Sequence, residues 1–212
     1  MRASSDYGHD GGVDDWVTVA IGLLADHPAV TSVQFAGSRS RGTHDVLSDW
    51  DFAVETSDFS ALVRDLPGLV APLKPLGQQW EPLGHFPVYQ VLLAGPTKIE
   101  YLFLGRSQEP APPLEPRGDT LAAINTHFWD WIWWLTTKAS VGRSDLVSEH
   151  LAQLNAHLLR PLGIVAAPTT IQDAIDVFVA RRNELEREFG VTVDRALEDE
   201  VRRGIADVLG DR

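Results

Sequence analysis

The chain contains no cysteine among its 212 residues. Disulfides, thiolate metal sites and cysteine nucleophiles are thereby excluded. It has no apolar run near the roughly 20 residues needed to cross a membrane. The densest stretch, Phe128-Trp129-Asp130-Trp131-Ile132-Trp133-Trp134-Leu135, is too short and carries an acid. The start, Met1-Arg2-Ala3-Ser4-Ser5-Asp6, lacks an apolar signal region, so a cytoplasmic protein is expected. No internal repeat and no low-complexity tract is present. Basic residues are in deficit: 18 Lys and Arg stand against 30 acids, a net charge of -12. Such a surface repels polyanions and argues against general nucleic-acid binding. It suits a cationic small molecule, or simply keeps the protein in solution. Apolar residues make up 44%, enough for a core in one ordinary domain or two small ones.

The pattern along the chain changes character midway. Residues 1–12 are polar and Gly-rich, which predicts a frayed end. Trp16, Val17, Ala20, Ile21 and Leu24 share one face of a helix expected over about 14–27. A strand is predicted near 31–36, a turn at Gly37-Ser38, and a second strand over about 50–55. A helix over 58–70 is capped by Asp58 or Ser57 and broken near Pro67-Gly68. Runs 86–94 and 98–104, separated by Gly95-Pro96, predict a hairpin. In the second run Lys98, Glu100 and Leu102 share one face, and Ile99, Tyr101 and Phe103 the other. Residues 106–118 hold four prolines and read as a linker. Helices near 119–138, 145–160, 171–189 and 194–209 follow, the first apolar almost all round and so central to a bundle. The fold class is α+β, with a mixed sheet flanked by helices in residues 1–105 and a helical bundle in 119–212.

The chemistry concentrates between Gly37 and Phe52. Glycine permits positive φ and close backbone approach. A helix beginning near Ser38 points free N–H groups at an anion, Ser38 adds a hydroxyl, and Arg39 and Arg41 add charge for phosphate oxygens. Read alone, the same turn is an ordinary N-cap. Asp49 and Asp51 alternate with Trp50 and Phe52, so both carboxylates leave one face of a strand. Asp is poor in strands, and two adjacent carboxylates repel unless a cation joins them. Mg²⁺ takes one or two carboxylates together with phosphate and water. Glu100, mid-strand, is a third acid; it shares the metal, acts as a base, or pairs with Lys98. The Trp cluster at 129–134 is read as core rather than a stacking platform. His127, His150 and His157 lack metal-ligand spacing and are read as surface or satisfied core residues. His44, in the loop before the carboxylates, is a possible substrate contact.

A strand, Gly-Ser, ten residues, Asp-x-Asp on a strand and an acid on a later strand resembles the nucleotidyltransferase superfamily that includes DNA polymerase beta. The resemblance spans roughly residues 30–104. Gly37-Ser38-x-x-x-Gly42 and the helical second half look most like small bacterial aminoglycoside and lincosamide adenylyltransferases. That resemblance implies two Mg²⁺ ions on Asp49, Asp51 and Glu100, ATP as nucleotide donor, and phosphates held at Gly37, Ser38, Arg39 and Arg41. It further implies Lys138 and Arg143 near the triphosphate, and an acid that takes the hydroxyl proton, with Glu100, Asp130, Asp145 and Glu149 as candidates. The implied acceptor is a small hydroxyl-bearing molecule, aminoglycoside-like and cationic. Adenylylation of a partner protein and a non-catalytic nucleotide-binding module are the alternatives.

Overall fold

The computed structural model describes residues 13–210, with side chains from residue 17. Trp16, expected on the apolar face of the first helix, lies outside the described side chains. The chain runs α1 (Val13–Ala25), β1 (Val30–Phe35), a four-residue α2 (Gly37–Ser40), β2 (Trp50–Thr56) and α3 (Phe59–Val70). Then come β3 (Gly77–Trp80), β4 (Val88–Leu93) and β5 (Thr97–Leu102). Four longer helices follow: α4 (Leu121–Ser140), α5 (Ser144–Leu154), α6 (Ile171–Phe189) and α7 (Ala196–Leu209). The fold is α+β.

The five strands form one mixed sheet in the order β1-β2-β5-β4-β3. Only the β2–β5 pair is parallel. One face of the sheet is apolar because of strand alternation. Ile99, Tyr101 and Phe103 from the β5 region join Phe52, Val54 and Val91 in a core closed by α1 and α3. The Tyr101 hydroxyl donates to the Ala20 carbonyl (3.0 Å), which fixes α1 against the sheet. The opposite face carries polar side chains and looks toward α4.

Three elements depart from expectation. Helix α3 continues through Pro67 instead of breaking there. Proline costs the helix a hydrogen bond, but Leu62, Leu66 and Val70 are all buried on one stripe and hold the last turn. Asp58 is the N-cap, accepting from the Ala61 N–H at 3.0 Å. Strand β3 was not predicted, because Gly77-Gln78-Gln79-Trp80 is short and polar and sits at a sheet edge. The helix expected over 145–160 is α5 followed by a π-turn at Asn155–Leu159.

The helical half packs around α4. Phe128, Trp129, Ile132, Trp133 and Leu135 are buried with Leu151, Ile175, Phe178 and Val201. Leu92 of β4 joins this cluster, so the sheet and the bundle share a boundary. Residues 106–118 have no regular structure until a turn begins at Gly118. They are tied to the preceding loop where Gln108 N–H donates to His85 (2.9 Å) and Ala111 N–H to Pro82 (2.7 Å). No helix among the described residues is long and apolar enough to cross a membrane.

Candidate active site

Sheet register assembles the site. In the parallel β2–β5 pair, Asp51 stands opposite Glu100. In the antiparallel neighbours, Glu100 stands opposite Gln90, and Gln90 opposite Gln79. Four polar side chains therefore line one row across the sheet, where period-two alternation turns them to the same face. Asp49 lies two residues before Asp51, at the end of the loop that leads into β2.

The turn before the acids has one geometric requirement. Gly37 adopts φ +62°, and a Cβ placed there would overlap the Asp51 carboxylate. Glycine thus serves both the left-handed backbone and the close approach of Asp51. The β1–β2 connection is fixed by Ala36 N–H donating to the Asp51 carbonyl (2.9 Å). Ala36, not Ser38, occupies the N-cap position of α2. Ser38 lies in the first turn, half-buried, and its carbonyl accepts from Arg41 and Thr43 N–H groups.

Arg39 is committed to the backbone beneath the acids. Its Nη2 donates to the Ser48 carbonyl (2.7 Å), and Nε donates to the Ser48 and Asp49 carbonyls (3.2 Å each). Its guanidinium lies 3.7 Å over the Trp50 ring. Burial lowers its pKa, with Asp49 opposing. Arg41 is exposed on the same turn.

The residue that sequence reasoning underweighted is Lys98. Its ammonium is buried among three carboxylates: Glu100 at 3.2 Å, Asp130 at 3.3 Å and Asp49 at 3.6 Å. The pairing of Glu100 with Lys98 is present, but it faces α4 and a cavity rather than open solvent. A closed ring of side chains results. Glu100 accepts from Gln90 (2.9 Å), Gln90 accepts from Gln79 (2.9 Å), and Gln79 donates to Asp130 (3.1 Å). Asp130 returns to Lys98. This ring ties β3, β4 and β5 to α4.

Asp49, Glu100 and Asp130 share one ammonium, and Asp51 stands beside Glu100. The imbalance shows in their protonation. Burial pushes Asp49 up to about 6, with Lys98 partly offsetting it and the neighbouring acids adding to it. Burial and the adjacent Glu100 push Asp51 to about 6. Burial also opposes ionisation of Glu100, but Lys98 and the hydrogen bond from Gln90 hold it below the ordinary value. Asp130 is raised by burial against the pull of Lys98. Lys98 is held well above its usual value, since the three carboxylates outweigh burial.

Asp49, Lys98, Glu100 and Asp130 line a cavity of about 390 Å³. Its far wall is α4, where His127, Trp131 and Trp134 recur at helical spacing, and α5, which adds His150 and Gln153. Trp134 packs on His150 with ring centroids 4.3 Å apart. The Trp cluster therefore divides. Trp129 and Trp133 are core, whereas Trp134 and one edge of Trp131 face the cavity. His127 is half-buried, and desolvation lowers its pKa.

The expected triphosphate residues lie elsewhere. Lys138 sits in the last turn of α4 with Nζ 5.1 Å from the Trp134 ring centre, and does not line the cavity. Arg143 is exposed and forms a two-point contact with Asp145 (3.2 Å each). Of the four candidate bases, Glu100 and Asp130 are in the cluster. Asp145 is occupied by Arg143, and Glu149 is exposed, accepting from Gln153 at 3.3 Å. Among the described residues, no three His, Asp or Glu side chains by themselves form a group able to hold a metal ion; the Lys98 ammonium lies between Asp49, Glu100 and Asp130.

No protein-family model matches the chain. No curated protein matches it in sequence. Among solved structures, the crystal structure of an aminoglycoside 6-adenyltransferase from Bacillus subtilis is similar over 91% of this chain and 97% of that chain. The identity is 8% and the TM-score 0.36. A likeness this loose assigns no activity.

Proposed function

We propose that the protein is an Mg²⁺-dependent nucleotidyltransferase. It moves an adenylyl group from ATP to a hydroxyl of a small, aminoglycoside-like acceptor. The observation that carries this reading is the placement of Asp51 beside Glu100, with Asp49 two residues before Asp51, against a glycine that must be glycine.

The donor set fits a hard divalent cation. All candidate ligands are carboxylate oxygens, and burial, with the neighbouring acids adding to it, raises Asp49 and Asp51, a shift that a bound cation would oppose. Asp49, Asp51 and Glu100 are the residues that would hold it. Bound there with the nucleotide, Mg²⁺ would supply charge neutralisation at the phosphates. Two carboxylates plus phosphate and water suffice for Mg²⁺, so a preassembled cage of three protein ligands is not required.

The chain's own residues supply position and a proton acceptor. The Gly37–Ser38 turn lies beside Asp51, and the phosphates are placed there, with Arg41 at its edge. Arg39 holds the backbone at Ser48 and Asp49. Asp130 is the favoured base: it reaches the cluster from α4 and lines the cavity, and burial raises its pKa against the pull of Lys98, which makes it a stronger proton acceptor. The acceptor oxygen forms a bond to the α-phosphorus as the bond to the pyrophosphate oxygen breaks, and its proton passes to Asp130. Trp131, Trp134 and Glu81 offer aromatic and acidic surface to a cationic ring.

The test is release of pyrophosphate from ATP across a panel of aminoglycosides and lincosamides. The reading expects Mg²⁺-dependent release with at least one acceptor, lost in Asp51→Asn and Asp130→Asn. ATP binding without release on any acceptor would leave a nucleotide-binding module instead.

A further inference from the structure

A second cavity of about 360 Å³ lies beside the acid-lined one. Leu83 and His127 line both, so the two are neighbours across one side-chain wall. Their chemistry differs sharply. The second cavity has no Asp, Glu, Lys or Arg in its lining. Trp80 of β3 and Ile124 of α4 face it, and Pro112, Pro113 and Leu114 form an outer wall.

Two features make this a built cavity. The prolines offer no N–H, so that wall is poor in hydrogen-bond donors. The same segment is anchored by Ala111 N–H to the Pro82 carbonyl (2.7 Å) and by Gln108 Nε2 to the Glu81 carbonyl (2.7 Å). Of the two glutamines in its lining, Gln79 donates to Gln90 and Asp130, and the Gln78 carbonyl oxygen accepts from the Tyr89 hydroxyl (3.0 Å); His127 and His157 complete the polar part of the lining. Trp80, Leu83, Ile124, Leu158 and the Pro112–Leu114 wall make most of the lining apolar, so an apolar group gains by leaving water here. The volume is within the range of pockets that hold small ligands.

We infer that this cavity receives an apolar appendage of the acceptor. The substrate class is then an amphiphile, with a hydroxyl-bearing polar ring at Asp130 and an alkyl or aryl group behind His127 and Leu83. The inference rests on the proposed transfer reaction for its account of the polar end. The apolar end stands on the cavity itself.

Octyl and methyl β-D-glucoside, which differ only in the tail, test it by titration against the full chain without ATP or Mg²⁺, below the micelle concentration. Burial of even two or three methylenes predicts at least about tenfold tighter binding of the octyl compound. Ala123→Trp fills the cavity from an exposed helix position, and should bring the two affinities to within about threefold, a difference worth less than one methylene. Leu114→Asp charges the opposite wall and carries the same expectation should the first variant fail to fold. Equal binding of both glucosides by the wild type, or an undiminished preference in the folded variants, overturns the inference. Pyrophosphate release is read separately. A tail preference without transfer to any acceptor would sink the reaction and leave an apolar-ligand site. Transfer without a tail preference would sink this inference and leave the reaction.

Discussion

Gly37→Ala is the most informative single substitution in the turn. Two costs follow from the structure. An L-residue at φ +62° costs about 1–2 kcal/mol relative to glycine. The new methyl also meets the Asp51 carboxylate, which must leave its place opposite Glu100 for another rotamer, at about 0.5–1.5 kcal/mol. The sum, about 2 kcal/mol, lowers the melting temperature by roughly 4–8 °C for a chain of this size. Gly42 supplies the control. It has φ +66° but open space where a Cβ would go, so Gly42→Ala incurs the backbone cost alone. Displacing a carboxylate by an ångström costs on the order of a hundredfold in turnover. Thermal denaturation of both variants, with pyrophosphate release measured on each, separates the terms. Gly37→Ala should lose about a hundredfold in kcat/KM and Gly42→Ala little. Equal activity in the two variants would refute the claim that Gly37 exists to admit Asp51.

Further outcomes follow from the charge imbalance. Asp49 and Asp51 titrate near 6 in the fold against about 3.9 when unfolded. Below pH 4 both states are protonated and no penalty arises. Between pH 4 and 6 the unfolded chain ionises first, so stability falls as pH rises, and above pH 6 the penalty is complete. Asp49→Asn should therefore be more stable than wild type at pH 8, by about 1–2 kcal/mol after allowing for Lys98 and solvent screening. Urea denaturation should show that advantage fading at pH 4, and a variant no more stable at pH 8 contradicts the assignment. Lys98→Met removes the ammonium the carboxylates share and should destabilise by about 3 kcal/mol at pH 8. The loss should shrink at pH 5 as the acids protonate, and an unchanged denaturation midpoint would show that Lys98 does not hold the cluster.

The parts of the molecule readable in advance were those with a clean period. Alternation put Ile99, Tyr101 and Phe103 on one face and Lys98 and Glu100 on the other, and the first of these is the core face. The Gly37 turn and the Asp49–Asp51 spacing were legible because backbone geometry alone brings them together. Partners across the sheet were not legible. That Gln79 and Gln90 extend the row of Asp51 and Glu100 depends on β3, whose short polar sequence has no strand signature. Helix phase was the other gap. Asp130 was one acid among four candidates, and only the packing of α4 on the sheet turns it toward Lys98. The same phase sends Trp129 and Trp133 inward while Trp134 faces the cavity. Pro67 misled because local propensity was outweighed by Leu62, Leu66 and Val70. His127 carried no spacing signal, yet it stands between the two cavities.

The central claim is that Asp49, Asp51 and Glu100 hold a metal–nucleotide complex. Calorimetric titration with a non-hydrolysable ATP analogue, with and without Mg²⁺, tests it directly on the wild type and Asp51→Asn. The account predicts that Mg²⁺ tightens binding by about tenfold or more, roughly 1.4 kcal/mol, and that Asp51→Asn abolishes the gain. The same affinity with and without Mg²⁺, or a full Mg²⁺ effect in the variant, would contradict it.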